Sequence, residues 1–313
     1  MSLIAEAPNF LQVFSDGTVK RFPPEIALAS PNSLESYKSK DIVIDPIKPI
    51  TGRIFLPNIP TTHASSHKLP ILVYFHGGGF CIGSTTWLNY HIFLGELASL
   101  AEVIVISIDY RLAPENRLPT AYTDGCNSLE WLMKSCNIEP WLEQADLSRI
   151  FLSGDSAGGN IAHNIAVKAC KNEYDLRGNL IKGILLIHPF FGSEERTPQE
   201  KVNESAIEVQ MNDMFWNLSI PQGSNRDYFG CNFERVELHD YEWCHFPKVV
   251  VYVAELDFLK ERGVMYVEHL KRKGVNDVEL IEAKDKVVKF IRFICIGVLR
   301  EFDCRSSPAT YFS

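Results

Sequence analysis

Between residues 50 and 254 the chain repeatedly sets a short apolar run ahead of a longer amphipathic stretch. The runs are GRIFLP (52–57), ILVYF (71–75), EVIVISI (102–108), RIFLS (149–153), KGILLIHPFF (182–191) and KVVVYVA (248–254). They are rich in β-branched residues and apolar at both parities. Strands buried on both faces of a parallel sheet have that pattern, whereas a half-exposed strand alternates. Helix-like segments lie near 88–100, 119–136, 157–171 and 259–273. Strand–helix alternation over this length predicts a doubly wound α/β sheet.

Two regions break the rhythm. Residues 1–45 are mixed and polar, interrupted by FPP and SPNS, and read as an N-terminal arm or cap. Residues 193–245 carry EERTPQE, MNDMFWNL and PQGSNRDYFG and read as an insertion between strands. Such insertions cap the site at the C-terminal ends of the strands. With 46% hydrophobic residues, the 313-residue chain has the material for one large domain. The formal net charge of −8 disfavours nucleic acid and anionic membranes as partners. The eight cysteines form no C-x-x-C pair and no zinc spacing, which predicts reduced thiols and no metal. The opening MSLIAEAPNF has no basic segment followed by an apolar run, so a cytoplasmic protein is expected.

RIFLSGDSAGGNIAHNIAVKAC (149–170) reads strand, tight turn, helix, with Ser156 inside a G-x-S-x-G frame. A nucleophilic serine at the apex of a strained turn needs this context. Gly154 and Gly158 lack a Cβ, so strand and helix can approach closely around it. Asp155 is open to a turn- or helix-capping role. A second motif, HGGGF (76–80), directly follows the strand ILVYF. Its three glycines leave backbone N–H groups unshielded and able to face a developing oxyanion. The residue after the serine, Ala157, supplies another N–H.

HGGGF, DYRLAPENRLPTAYTD (109–124) and GDSAGGN (154–160) resemble the plant carboxylesterase-like proteins of the hormone-sensitive lipase group. HPFFGSEERT (188–197) and LSIPQGSNRD (218–227) are similar to the strigolactone-hydrolysing branch. The resemblance spans roughly residues 8 to 285. It implies an α/β-hydrolase fold, no cofactor, and small ester or lactone substrates. It further implies a nucleophile at Ser156 and oxyanion donors at Gly77, Gly78 and Ala157. It casts Asp109, Arg111 and Glu115 as an internal ion-pair and turn scaffold rather than as chemistry.

In this fold the triad runs serine, carboxylate, histidine along the chain. Asp257 stands where the strand KVVVYVA meets the following helix, and the family carries LD or AD there. It can orient an imidazole and also cap the helix. The family's histidine follows the strand DVELIEA (277–283). Here the chain continues EAKDKVVKFIRFICIGVLREFDC without any histidine, and alignment to the family puts Val288 in its place. Valine cannot exchange a proton. In a comparable triad enzyme, losing the base costs about 10⁶ in kcat, with about 10³–10⁴ over water remaining. Of the other histidines, His163 lies in the helix after the serine and His188 ends a strand, as it does in relatives. His239 and His245 fall in the insertion.

Three readings of the break after residue 285 follow. A shifted reading frame or alternative exon would replace the family's polar end by the atypical tail 286–313. Its apolar stretch 290–302 is shorter than the roughly 20 residues that cross a bilayer. A small-molecule receptor would keep the pocket and dispense with the base, as the related gibberellin receptors do, although those carry a serine where Gly79 stands here. A dehydratase or cyclase would use the oxyanion donors to polarise a carbonyl without an acyl-enzyme.

Overall fold

Burial at both parities along the apolar runs builds the centre of the molecule. The computed structural model describes residues 1–33, 35–59, 68–173, 180–202, 204 and 206–284. The tail, with Val288, lies outside the described residues. The central sheet has eight strands: β4 (Tyr37–Asp45), β5 (Ile50–Pro57), β6 (Leu69–Phe75), β7 (Ile104–Asp109), β8 (Ala145–Asp155), β9 (Ile181–Ile187), β10 (Lys248–Ala254) and β11 (Val278–Ala283). Their spatial order is β11-β10-β9-β8-β6-β7-β5-β4. The six strands from β11 to β7 are mutually parallel, while β5 and β4 close the other edge antiparallel.

Alternate residues of each inner strand enter different cores. Ile71, Val73 and Phe75 of β6 join Ile106, Leu152, Leu186 and Val251 on one side. Leu72 and Tyr74 join Val105, Phe151, Leu185 and Val250 on the other. The second side is covered by α1 (Leu88–Ala101) through Leu94, Leu97 and Ala98. The first is covered by α2 (Thr120–Ser135) and α3 (Ala157–Cys170). Every residue of α3 except Lys168 is buried, as expected of a helix enclosed on all sides. Another helix, α7 (Lys260–Arg272), follows β10.

The expected runs correspond to strands with two differences. KGILLIHPFF stops being strand at Ile187, and His188 to Phe191 leave the sheet edge. The expected arm 1–45 also divides. Residues 3–21 form a separate antiparallel sheet, β1 (Leu3–Ala7), β2 (Leu11–Phe14) and β3 (Val19–Arg21), but β4 belongs to the main sheet. Its polarity has a physical cause: β4 is an edge strand, and Lys38, Lys40 and Asp41 guard it against further pairing. Arg21 ties the small sheet down. Its guanidinium donates to the Cys81 and Ala113 carbonyls and bridges to Glu115 at 2.6 Å. The insertion supplies α4 (Pro198–Val202), α5 (Ile207–Ser219) and α6 (Asp240–Trp243).

One buried histidine belongs to each of α3 and α7. The His163 ring nitrogen Nδ1 lies 2.9 Å from the Tyr266 hydroxyl, and burial pushes its pKa from 6.5 down to about 3. Burial, with the charges of Lys273 and Arg272, lowers His269 to about 4. Both depressed values mean that the unfolded chain takes up protons first as pH falls below 6.5. Stability present above that pH is therefore lost on acidification. Thermal melts should show a lower Tm at pH 5 than at pH 7.5, with a smaller drop in His163→Gln. An equal drop in that variant would remove His163 from this account.

Candidate active site

The C-terminal tips of β6, β8, β9 and β10 lie side by side, and each delivers one polar element. β8 delivers Ser156, which carries φ 52° and ψ −116° as the residue before α3. A non-glycine residue there costs about 1–3 kcal/mol unless its surroundings hold it. They do: the Ser156 N–H donates to the Ile187 carbonyl (2.8 Å), and its own carbonyl accepts from the Phe190 N–H (2.9 Å). Gly158 completes the turn, since a Cβ there would overlap the Phe75 carbonyl of β6. Ala157 is the first residue of α3, so its N–H has no partner within the helix and carries the positive end of the helix dipole.

β6 delivers the glycine loop. Gly78 and Gly79 have φ 111° and 57°, which glycine adopts freely. Among the described residues, neither N–H has an acceptor. The loop is folded back on itself by bonds from Cys81 and Ile82 N–H to the Gly78 carbonyl. It is roofed by α5: Ser219 donates to the Gly79 carbonyl at 2.9 Å, and a Cβ on Gly79 would strike the Phe215 ring. The insertion thus sits over the loop, as a cap would. Beneath it, Trp216 stacks on Phe190 with ring centroids 4.3 Å apart.

Gly77 departs from expectation. Its N–H donates to the Asp155 carboxylate (3.0 Å) and the Tyr90 hydroxyl (2.9 Å), so it is spent and not free for an oxyanion. Asp155 is likewise no helix cap. It accepts from Tyr74 (2.7 Å) and Tyr90 (2.9 Å) as well as Gly77. This half-buried carboxylate, in the residue preceding Ser156, fastens the glycine loop. Burial and the Asp155 charge hold the Tyr90 phenol well above its usual pKa, so it stays a donor.

β10 delivers Asp257. One carboxylate oxygen accepts from the Leu259 N–H (2.9 Å), which steadies the start of α7. The other lies 2.5 Å from Nδ1 of His188, the residue β9 delivers. No directed hydrogen bond is made across that contact. His188 has φ 44°, is 8% exposed, and meets the Tyr252 ring edge-on at 5.2 Å. Three further histidines weighed as a base stand elsewhere. His163 is buried against Tyr266, and His239 and His245 are exposed around α6. Arg111 pairs with buried Asp124 (2.6 Å), Glu115 with Arg21, and Asp109 accepts from Thr85, so these charges hold loops. Among the described residues, no three His, Cys, Asp or Glu side chains converge as a metal would need, and no helix is long and apolar enough to cross a membrane. The cleft bordered by Lys171, Glu173 and His239 lies at the far end of α3, about 20 Å from Ser156.

If Asp155 fastens the loop, Asp155→Asn should lower stability by about 1–3 kcal/mol, since charge-assisted bonds are lost inside the protein. Thermal unfolding checks this. An unchanged Tm would show that the two phenols and the glycine loop do not depend on the charge.

Comparisons with known proteins agree with this geometry. A family described as the alpha/beta hydrolase fold matches residues 72–292. "Probable carboxylesterase 6" of Arabidopsis thaliana is 39% identical over 268 residues, covering 84% of this chain and 78% of that protein. "Tuliposide A-converting enzyme 1, chloroplastic" of Tulipa gesneriana is 36% identical over 285 residues, covering 90% and 70% respectively. Among solved structures, an esterase of Pyrobaculum calidifontis matches with TM-score 0.68 and 26% identity, over 85% of this chain and 84% of its own. The chain therefore belongs to the α/β-hydrolase family and is, by lineage, a carboxylesterase-type serine hydrolase of the kind found in plants.

Proposed function

We propose that the chain hydrolyses small carboxylic esters or lactones of plant metabolites, with Ser156 as nucleophile. The observation that carries this reading is Ser156 held at a strained apex, beside the unassigned N–H groups of Gly78 and Gly79 and the free N–H of Ala157. Ser156 Oγ attacks the carbonyl carbon. The carbonyl oxygen gains the charge and is held by Gly78, Gly79 and Ala157 N–H, aided by the α3 dipole. Gly77 has no part in this, because its N–H serves Asp155. The acyl-enzyme is then released by water. Asp257 is the acid that orients the base.

Val288 stands where the family places its imidazole, so turnover is expected to be slower than that of a complete triad. The resemblance of HPFFGSEERT and LSIPQGSNRD supports the small-metabolite class of substrate. Gly79 favours an enzyme over a receptor, since a serine Cβ there would meet the Phe215 ring. A cytoplasmic location goes with this reading, supported by six described cysteines that are all free.

Hydrolysis of a short-chain aryl acetate by the full chain, measured beside Ser156→Ala, tests the proposal. The wild type should exceed the variant by at least about 10²-fold, the lower end of the range that a positioned catalytic group contributes. Equal rates would refute Ser156 as the nucleophile.

A further inference from the structure

We infer that His188 is the general base for Ser156, replacing the imidazole that the chain lacks at position 288; the inference rests on the proposed esterase reading. The sheet order places β9 between β8 and β10. Consequently the residues leaving these three strands line up as Ser156, His188 and Asp257. Ser156 and His188 are next neighbours across the ladder. The last registered pair is Asp155 with Ile187, and the Ser156 backbone then bonds to Ile187 and Phe190 on either side of His188. Adjacent strands lie about 4.8 Å apart, so the two residues start within one side chain's reach. On the other flank, the His188 N–H donates to Tyr252 of β10 at 2.9 Å, and its ring meets Asp257.

The chemistry of that contact sets the tautomer. A carboxylate beside Nδ1 favours the proton on Nδ1 and leaves the lone pair on Nε2. Nε2, like Nδ1, is buried and makes no hydrogen bond among the described residues, and its residue stands one ladder step beyond the Asp155–Ile187 pair, across from Ser156. Asp155 does not compete for the ring, because its oxygens serve Tyr74, Tyr90 and Gly77. Backbone strain points the same way: Ser156 and His188 both hold positive φ without being glycine. Strain of this kind persists where the surroundings impose it, and it gathers at functional sites. Ser156 and Nε2 do not bond in the resting arrangement, and catalytic bonds of this type commonly close on substrate binding.

The step balances. Nε2 takes the Ser156 hydroxyl proton as the Oγ–C bond forms. The resulting imidazolium, stabilised by Asp257, returns that proton to the departing alkoxide as the ester C–O bond breaks. Water then repeats the cycle on the acyl-enzyme, and Ser156 recovers its proton.

The test measures the Ser156-dependent part of aryl acetate hydrolysis in wild type, His188→Gln and His188→Ala, each with and without added imidazole. Loss of about 10²-fold or more is expected in both variants, the scale of a general base. Imidazole should restore His188→Ala and leave Ser156→Ala inactive. Loss that imidazole cannot repair would make His188 a structural residue and overturn the inference. A Ser156-dependent rate that neither His188 variant changes would overturn it alone, leaving the esterase reading intact. A wild-type rate no greater than that of Ser156→Ala would remove both.

Discussion

The structure turns on the close approach of α3 to β6. Gly158 lies so near the Phe75 carbonyl that any side chain would displace one element from the other. This contact brings the start of a buried helix to the end of a central strand. It forces Ser156 into a left-handed conformation, and it brings the glycine loop that follows β6 alongside. Asp155 then locks the arrangement by taking the Gly77 N–H and two phenols. The cost of partly desolvating that carboxylate is offset because each of its oxygens has a donor. Loop, serine and helix N-terminus are thereby fixed before any substrate arrives, which is the condition for electrostatic stabilisation without reorganisation.

A second layer of the design is the strand order. The parallel ladder from β8 through β9 to β10 sets three side chains in a row at one edge of the sheet, with Asp257 at the end that also steadies α7. The insertion between β9 and β10 returns over the glycine loop through Phe215 and Ser219. The same stretch of chain therefore closes the site and separates the strands that supply its charges.

Much of this was legible in the sequence. The buried strands announced themselves by apolar character at both parities. The helices expected near 88–100 and 157–171 are observed at Leu88–Ala101 and Ala157–Cys170. Ser156 and Asp257 reached strand tips at the same end of the sheet, on β8 and β10, as their strand-end positions implied. Three features were not legible. Which of three successive glycine N–H groups stays free depends on Asp155, 78 residues away from Gly77. The polar strand β4 looked like arm because an antiparallel edge lacks the two-sided burial that marks the others. His188 looked like an ordinary strand-end residue because relatives carry it there, and the sequence does not say that β9 lies between β8 and β10. The run HPFF just past a buried strand was the available signal.

The central claim is that Ser156 is an activated nucleophile in a preorganised oxyanion site. The intact mass of the full chain after exposure to a fluorophosphonate, followed by peptide mapping, tests it most directly. The account predicts a single adduct, carried by Ser156. No adduct, or one on a residue outside 154–160, would contradict it.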